Sequence, residues 1–147
     1  MKKLYLDICT YCRPFDDQNF LRIRLETDAF YLITQHIKEG RYQAVISPVH
    51  FKEASAIPLL KKRLEIHTLL NQVDTKTTYD AKKAHQRADE LHALKFGVAD
   101  AAHVAYAEQM ADIFITCDDK LLKKCQKRPL SVMAMNPIEF LVSENLQ

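Results

Sequence analysis

Nothing in this sequence is apolar for long enough to cross a membrane, which takes about 20 consecutive apolar residues. The first apolar run, after Lys2-Lys3, is cut short by Asp7, far below the apolar core of a signal peptide. A cytoplasmic protein is expected, and its four cysteines are expected to be reduced thiols. Internal repeats, low-complexity tracts and linkers are absent, as is an aromatic-rich platform for stacking single strands. Charge of one sign is also lacking. A formal net charge of +2 does not announce a nucleic-acid partner, so any such role must come from local charge. What remains is ordinary globular composition, 48% apolar and 27% charged. The 147 residues are enough for one domain over 1–147 with a real core, and too few for two comfortable ones.

Short apolar runs alternate with helical patterns. Lys3–Leu6, Ala44–Ile46 and Ile113–Thr116 read as buried strands, and Leu130–Met135 as an edge strand. A long helix is expected from Phe20 to Glu39, with Phe20, Ile23, Phe30, Ile33 and Ile37 on its apolar face and Gly40 ending it. Ser47 caps the next helix, Pro48 suits its first position, and Pro58 interrupts it before a helix through Leu70. Val73–Thr78 is a connection, with room for a little strand. Tyr79–Phe96 is helical, and Gly97 breaks it ahead of an alanine-rich helix. Asp119–Lys127 and Pro137–Val142 complete the helices. Such alternation predicts a three-layer α/β/α fold with a central parallel sheet.

In open parallel sheets, functional groups gather beyond the carboxyl ends of strands. Asp7 and Asp118 stand at such ends, and Asp100 lies in the first turn of the alanine-rich helix. Taken singly, each has a plain structural role: Asp7 and Asp118 as turn formers or caps, Asp100 as a partner of the helix dipole. Taken in order they resemble the PIN-domain family of metal-dependent ribonucleases, a Rossmann-like fold. The resemblance rests on the strand ending in Asp7, on Gly97-x-x-Asp100, and on Thr116-Cys117-Asp118. It adds Glu53, on the helix after the second strand. Cys9 departs from the family, many of whose members carry a small polar residue there.

The resemblance implies that Asp7, Asp100 and Asp118 bind Mg²⁺ or Mn²⁺, with Glu53 ligating the ion or orienting its water. It implies RNA hydrolysis leaving a 5′-phosphate and a 3′-hydroxyl, a place as the toxin of a toxin–antitoxin pair, and an antitoxin protein as partner. A homodimer is left open. The chemistry is self-consistent: clustered carboxylates repel, a hard divalent cation relieves them, and its bound water becomes a nucleophile near neutral pH. Thr116, His103 and Asp119 stand as supporting residues. His103 is three residues after Asp100 and can share its helix face; it either contacts phosphate or Asp100, or packs at the helix–sheet edge. Asp119 is otherwise an N-cap, and Asp17 is assigned to capping.

Two further features carry chemistry. Lys120, Lys123, Lys124 and Lys127 fall on one helical face, either a track for nucleic-acid phosphates or a solvated face. Without catalysis, a PIN-like scaffold binding RNA or protein is the alternative. Cys9-Thr10-Tyr11-Cys12 is similar to the motif of glutaredoxins, which would make the chain a thiol–disulfide oxidoreductase, but that leaves Asp100 and Asp118 unexplained.

Overall fold

Alternation within the first strand sets the layers. The computed structural model describes residues 1–73 and 76–146. In β1 (Lys2–Leu6), Leu4 and Leu6 enter one core and Tyr5 the other, as a period of two demands. In β3 (Ile113–Ile115), Ile113 and Ile115 join Leu4 and Leu6, while Phe114 joins Tyr5. β1 lies between β2 (Tyr42–Val45) and β3, and β4 (Met133–Met135) extends the sheet beyond β3; every pairing is parallel. Helices cover both faces, giving the expected three-layer α/β/α fold.

The connections supply the layers. α1 (Ile8–Cys12) runs into a single 3₁₀ turn at Arg13–Phe15 and then α2 (Leu21–Lys38). After β2 come α3 (Pro48–Ser55), α4 (Leu60–Asn71), α5 (Ala81–Ala93) and α6 (Val98–Met110). α7 (Asp119–Gln126) joins β3 to β4, and α8 (Pro137–Ser143) follows β4. Tyr5, Val45 and Phe114 pack under Leu91 of α5, Val104 and Ala105 of α6 and Leu121 of α7. On the other face, Leu4 and Leu6 meet Phe30 and Ile33 of α2, Ile66 and Leu70 of α4 and Phe140 of α8. Among the described residues, no helix is long and apolar enough to cross a membrane.

Several boundaries differ from expectation for physical reasons. Phe20 is exposed because it is the extended N-cap of α2. The buried stripe of that helix instead includes Glu26, satisfied by Arg13 at 3.0 Å and by the Asn136 amide. Gly97 does not break α5 through unusual backbone angles: its φ is −61°, and the left-handed residue after α5 is Lys95, φ 78°. A Cβ at Gly97 would only come into ordinary contact with Asp100 Oδ2, at 3.4 Å. Leu130–Val132 lie outside β4. Of the connection expected at 73–78, residues 74 and 75 fall outside the described residues, and 76–78 form no strand.

The cap of α3 ties the sheet to the site. Ser47 Oγ accepts from Val49 N at 3.3 Å, and Ser47 N donates to His50 Nδ1 at 3.1 Å. The other ring nitrogen of His50, carrying the proton, donates to Leu6 O at 2.7 Å. His50 is thus a buried, neutral imidazole serving where a capping box would place Glu or Gln. Burial, with the neighbouring His103, pushes its pKa down to about 3. The native state therefore binds fewer protons at His50 than the unfolded state between about pH 6.5 and 3, and stability falls with pH through that window. The melting-temperature gap between wild type and His50→Gln should shrink as pH drops from 7 to 4. A gap constant with pH would contradict this account.

Candidate metal centre

Asp7 follows the last residue of the central strand, and its backbone N–H donates to Ile115 O at 2.8 Å. It occupies the N-cap position of α1, yet its carboxylate makes no capping bond. Only 4% exposed, the carboxylate accepts from Thr116 Oγ1 at 2.8 Å and Cys9 Sγ at 3.3 Å. Cys9 thus supplies a weak donor where the expected small polar residue would stand. Thr116 Oγ1 in turn accepts from Asp118 N at 3.1 Å, so one hydroxyl links both strand-end acids.

α6 brings the remaining groups. His103 is 1% exposed; its Nε2 lies 3.7 Å from Asp7 Oδ1 and hydrogen-bonds Glu53 Oε1 from α3. Its Nδ1 meets Tyr5 Oη at 2.6 Å, and Tyr5 Oη meets Ser47 Oγ at 2.6 Å. Asp7, Glu53 and His103 each offer one donor atom, all within 4.8 Å of one another, the one such group among the described residues. Two carboxylates and an imidazole suit a divalent cation that accepts oxygen and nitrogen.

Asp100, half-buried in the first turn of α6, shares the same field. Its pKa is pushed up to about 6, first by burial, then by Asp7 and Asp118, with His103 opposing and Glu53 adding. Burial and the neighbouring acids together therefore disfavour its charged form. Asp118 is exposed; its Oδ1 caps α7 by accepting from Lys120 N at 3.0 Å and Leu121 N at 3.2 Å. Asp119, named as a supporting residue or otherwise an N-cap, pairs with Arg22. Asp17 Oδ1 accepts from Asn19 N at 3.0 Å, ahead of α2. The structure thus gathers Asp7, Glu53 and His103 tightly, sets Asp100 within their field, and gives one oxygen of Asp118 to a helix end.

Tyr5, and its bond to the capping Ser47, escaped sequence reasoning. The available signal was a tyrosine inside an aliphatic strand, whose buried hydroxyl must find a partner. Its pKa lies well above the usual phenol range, chiefly through burial.

All four cysteines are free. The Cys9 thiol is held well above its ordinary value by its hydrogen bond with Cys117 and by burial, and burial also raises Cys12. A disulfide-exchanging motif needs the opposite shift, so the oxidoreductase reading loses its chemistry. Lys120 and Lys123 of α7 and Lys127 at its C-terminal cap are exposed. Lys124 is taken up: its Nζ donates to Lys95 O at 2.7 Å and sits 6.0 Å from the Phe96 ring centre. On the opposite side of the sheet, α2, β2 and α4 line an apolar groove of about 1030 Å³, with Phe30, Tyr31, Ile37, Leu64 and Leu69 on its walls.

No family model and no curated protein matches the sequence. Solved structures do resemble the chain. FitAcB from Neisseria gonorrhoeae matches with a TM-score of 0.50 and 16% identity, over 92% of this chain and 98% of that one. VapBC2 from Rickettsia felis, bound to a DNA fragment from its promoter, matches with a TM-score of 0.58 and 14% identity, over 91% and 98%. At such identities the likeness is one of fold.

These findings correct the PIN-domain assignment: no family model supports it, and neither structure is described as a PIN domain. The physical reason lies in the motifs themselves. An acid after a buried parallel strand and an acid in a helix's first turn answer to general needs of α/β folds, here the capping of α7 by Asp118.

The excess charge at Asp100 has a measurable sign. Its folded pKa is above the unfolded value, so its ionisation costs stability as pH rises from about 4 to 6. In EDTA, Asp100→Asn should melt close to wild type at pH 4 and above it at pH 7. Equal melting of both proteins at pH 7, or a lower melting temperature for the variant, would contradict the crowded-charge account.

Proposed function

We propose that this protein is a metal-dependent ribonuclease that hydrolyses RNA phosphodiester bonds in a toxin–antitoxin setting. The observation that carries the catalytic reading is the convergence of Asp7, Glu53 and His103 with Asp100 alongside. The setting rests on FitAcB and VapBC2, which are toxin–antitoxin complexes; a partner protein belongs to the same proposal.

In this reading Asp7, Glu53 and His103 hold Mn²⁺ or Mg²⁺, with Asp100 and the free oxygen of Asp118 completing the negative pocket. When bound there, such an ion would supply a water of lowered pKa and offset charge developing on the phosphate. The chain's own residues do the positioning. Thr116 fixes the Asp7 carboxylate. Glu53, less buried than Asp7, sits where it can orient the attacking water and accept its proton. Lys120, at the start of α7 beside Asp118, is placed to meet a phosphate oxygen, with Lys123 and Lys127 continuing along the helix.

Cleavage of mixed-sequence single-stranded RNA, with the DNA equivalent as comparator, tests this. Wild type should cut RNA with Mn²⁺ or Mg²⁺ and stop in excess EDTA. Asp7→Asn should lower the cleavage rate by roughly a hundredfold or more. Cleavage that persists in EDTA would sink the assignment, and a wild type that binds RNA but never cuts it would favour a binding scaffold.

Salt dependence separates the lysine track from a solvated face. Replacing Lys120, Lys123 and Lys127 together by Gln should flatten the plot of log affinity for single-stranded RNA against log salt, by about 0.7 for each phosphate no longer neutralised. Lys124→Gln should leave that slope unchanged. An unaltered slope in the triple variant would remove the track from the proposal.

A further inference from the structure

His103 is unusual among the groups in the pocket because both its ring nitrogens are spoken for inside the protein. Nε2 faces Glu53 and Asp7, while Nδ1 faces Tyr5 Oη, which rests on Ser47 Oγ. All three members of the Ser47–Tyr5–His103 chain are buried. Ser47 is itself fixed as the N-cap of α3, the helix that also carries Glu53. The far end of the chain is therefore anchored to the same element as one of the proposed ligands.

We propose that Tyr5, braced by Ser47, is the positioning residue that makes His103 a nitrogen donor in this centre. The inference rests on the metal-binding reading above and deepens it by naming what orients the imidazole. Histidine ligands generally use one nitrogen for the ion and give the other N–H to a protein acceptor, which fixes ring orientation and tautomer. Here the chain can serve either polarity. With the ring proton on Nε2, His103 donates to Glu53, Tyr5 O–H donates to Nδ1, and Ser47 O–H donates to Tyr5. With Nε2 needed as a lone-pair donor, the ring proton belongs on Nδ1 and is given to Tyr5 Oη, whose own proton turns to Ser47 Oγ. Ring, phenol and serine hold three protons in both arrangements, so the exchange is a tautomer change made through solvent, with no net protonation. A hydroxyl is what this position requires, because it can donate in one state and accept in the other. Phenylalanine would fill the same space and do neither.

The test uses the full chain, with two readouts other than activity. Nitrogen NMR of ¹⁵N-histidine-labelled protein should show His103 protonated on Nε2 in EDTA and on Nδ1 with Zn²⁺, a diamagnetic probe. Calorimetric titration with Mn²⁺ should show affinity reduced about 10–100-fold by Tyr5→Phe, and by a smaller factor in Ser47→Ala, which keeps the phenol but loosens its anchor. Ser47→Ala and the wild-type NMR decide the matter if Tyr5→Phe does not fold. A wild type that binds neither ion overturns the metal centre itself. Ion binding by wild type with an unmoved His103 tautomer, or with affinity unchanged in both variants, overturns the role of Tyr5 and leaves the centre standing.

Discussion

A buried carboxylate at the end of the central strand is the constraint around which this structure is arranged. Asp7 is almost wholly shielded from water, and burying an ionised acid is costly unless its oxygens are met by donors. The fold meets one of them with two donors, a hydroxyl just beyond β3 and a thiol on α1, and sets an imidazole of α6 3.7 Å from the other. These donors fix the relative placement of three elements that are distant in sequence. The parallel sheet makes this possible, because β1 and β3 end at the same edge and deliver Asp7 and Thr116 side by side.

The compensation is incomplete. One imidazole and two weak or neutral donors stand among Asp7, Glu53, Asp100 and Asp118, and burial first, then the charges of Asp7 and Asp118, raises the pKa of Asp100. Ordinary structural roles absorb part of the acidity, as when Asp118 caps α7. They do not absorb Asp7, which occupies a cap position and leaves it unused. An acid that forgoes an available helix end, and faces a histidine and a second acid instead, points to chemistry more strongly than any strand-end position read from sequence.

The layers were legible because periodicity is a local property: Leu4, Tyr5 and Leu6 announce their faces without reference to anything else. The acids at Asp7, Glu53 and Asp100 could be named from position along the chain. Their partners could not, because the choice between Asp118 and Asp119 as the cap depends on where Arg22 of α2 arrives. The role of His103 likewise depends on how α3 and α6 approach each other over Tyr5. Glu26 was hidden in plain view: it falls four residues before Phe30, on the stripe that builds the core, and Arg13, Arg22 and Asn136 make that position tolerable. The PIN-domain resemblance failed for a related cause, since it weighed features that local helix and turn chemistry already produces.

The Glu26 cluster also bears on the order in which the chain becomes stable during synthesis. Its acid lies in α2, in the first quarter of the sequence, while the amide that completes its hydrogen bonding belongs to Asn136, the N-cap of α8. Breaking a buried ion pair's surroundings leaves charge that water cannot reach. A ribosome-bound chain that has not yet released residue 136 therefore holds β1, α2 and β2 around an acid missing one of its donors. The hydrogen bonding of Glu26 is therefore complete only once α8 has docked against α2.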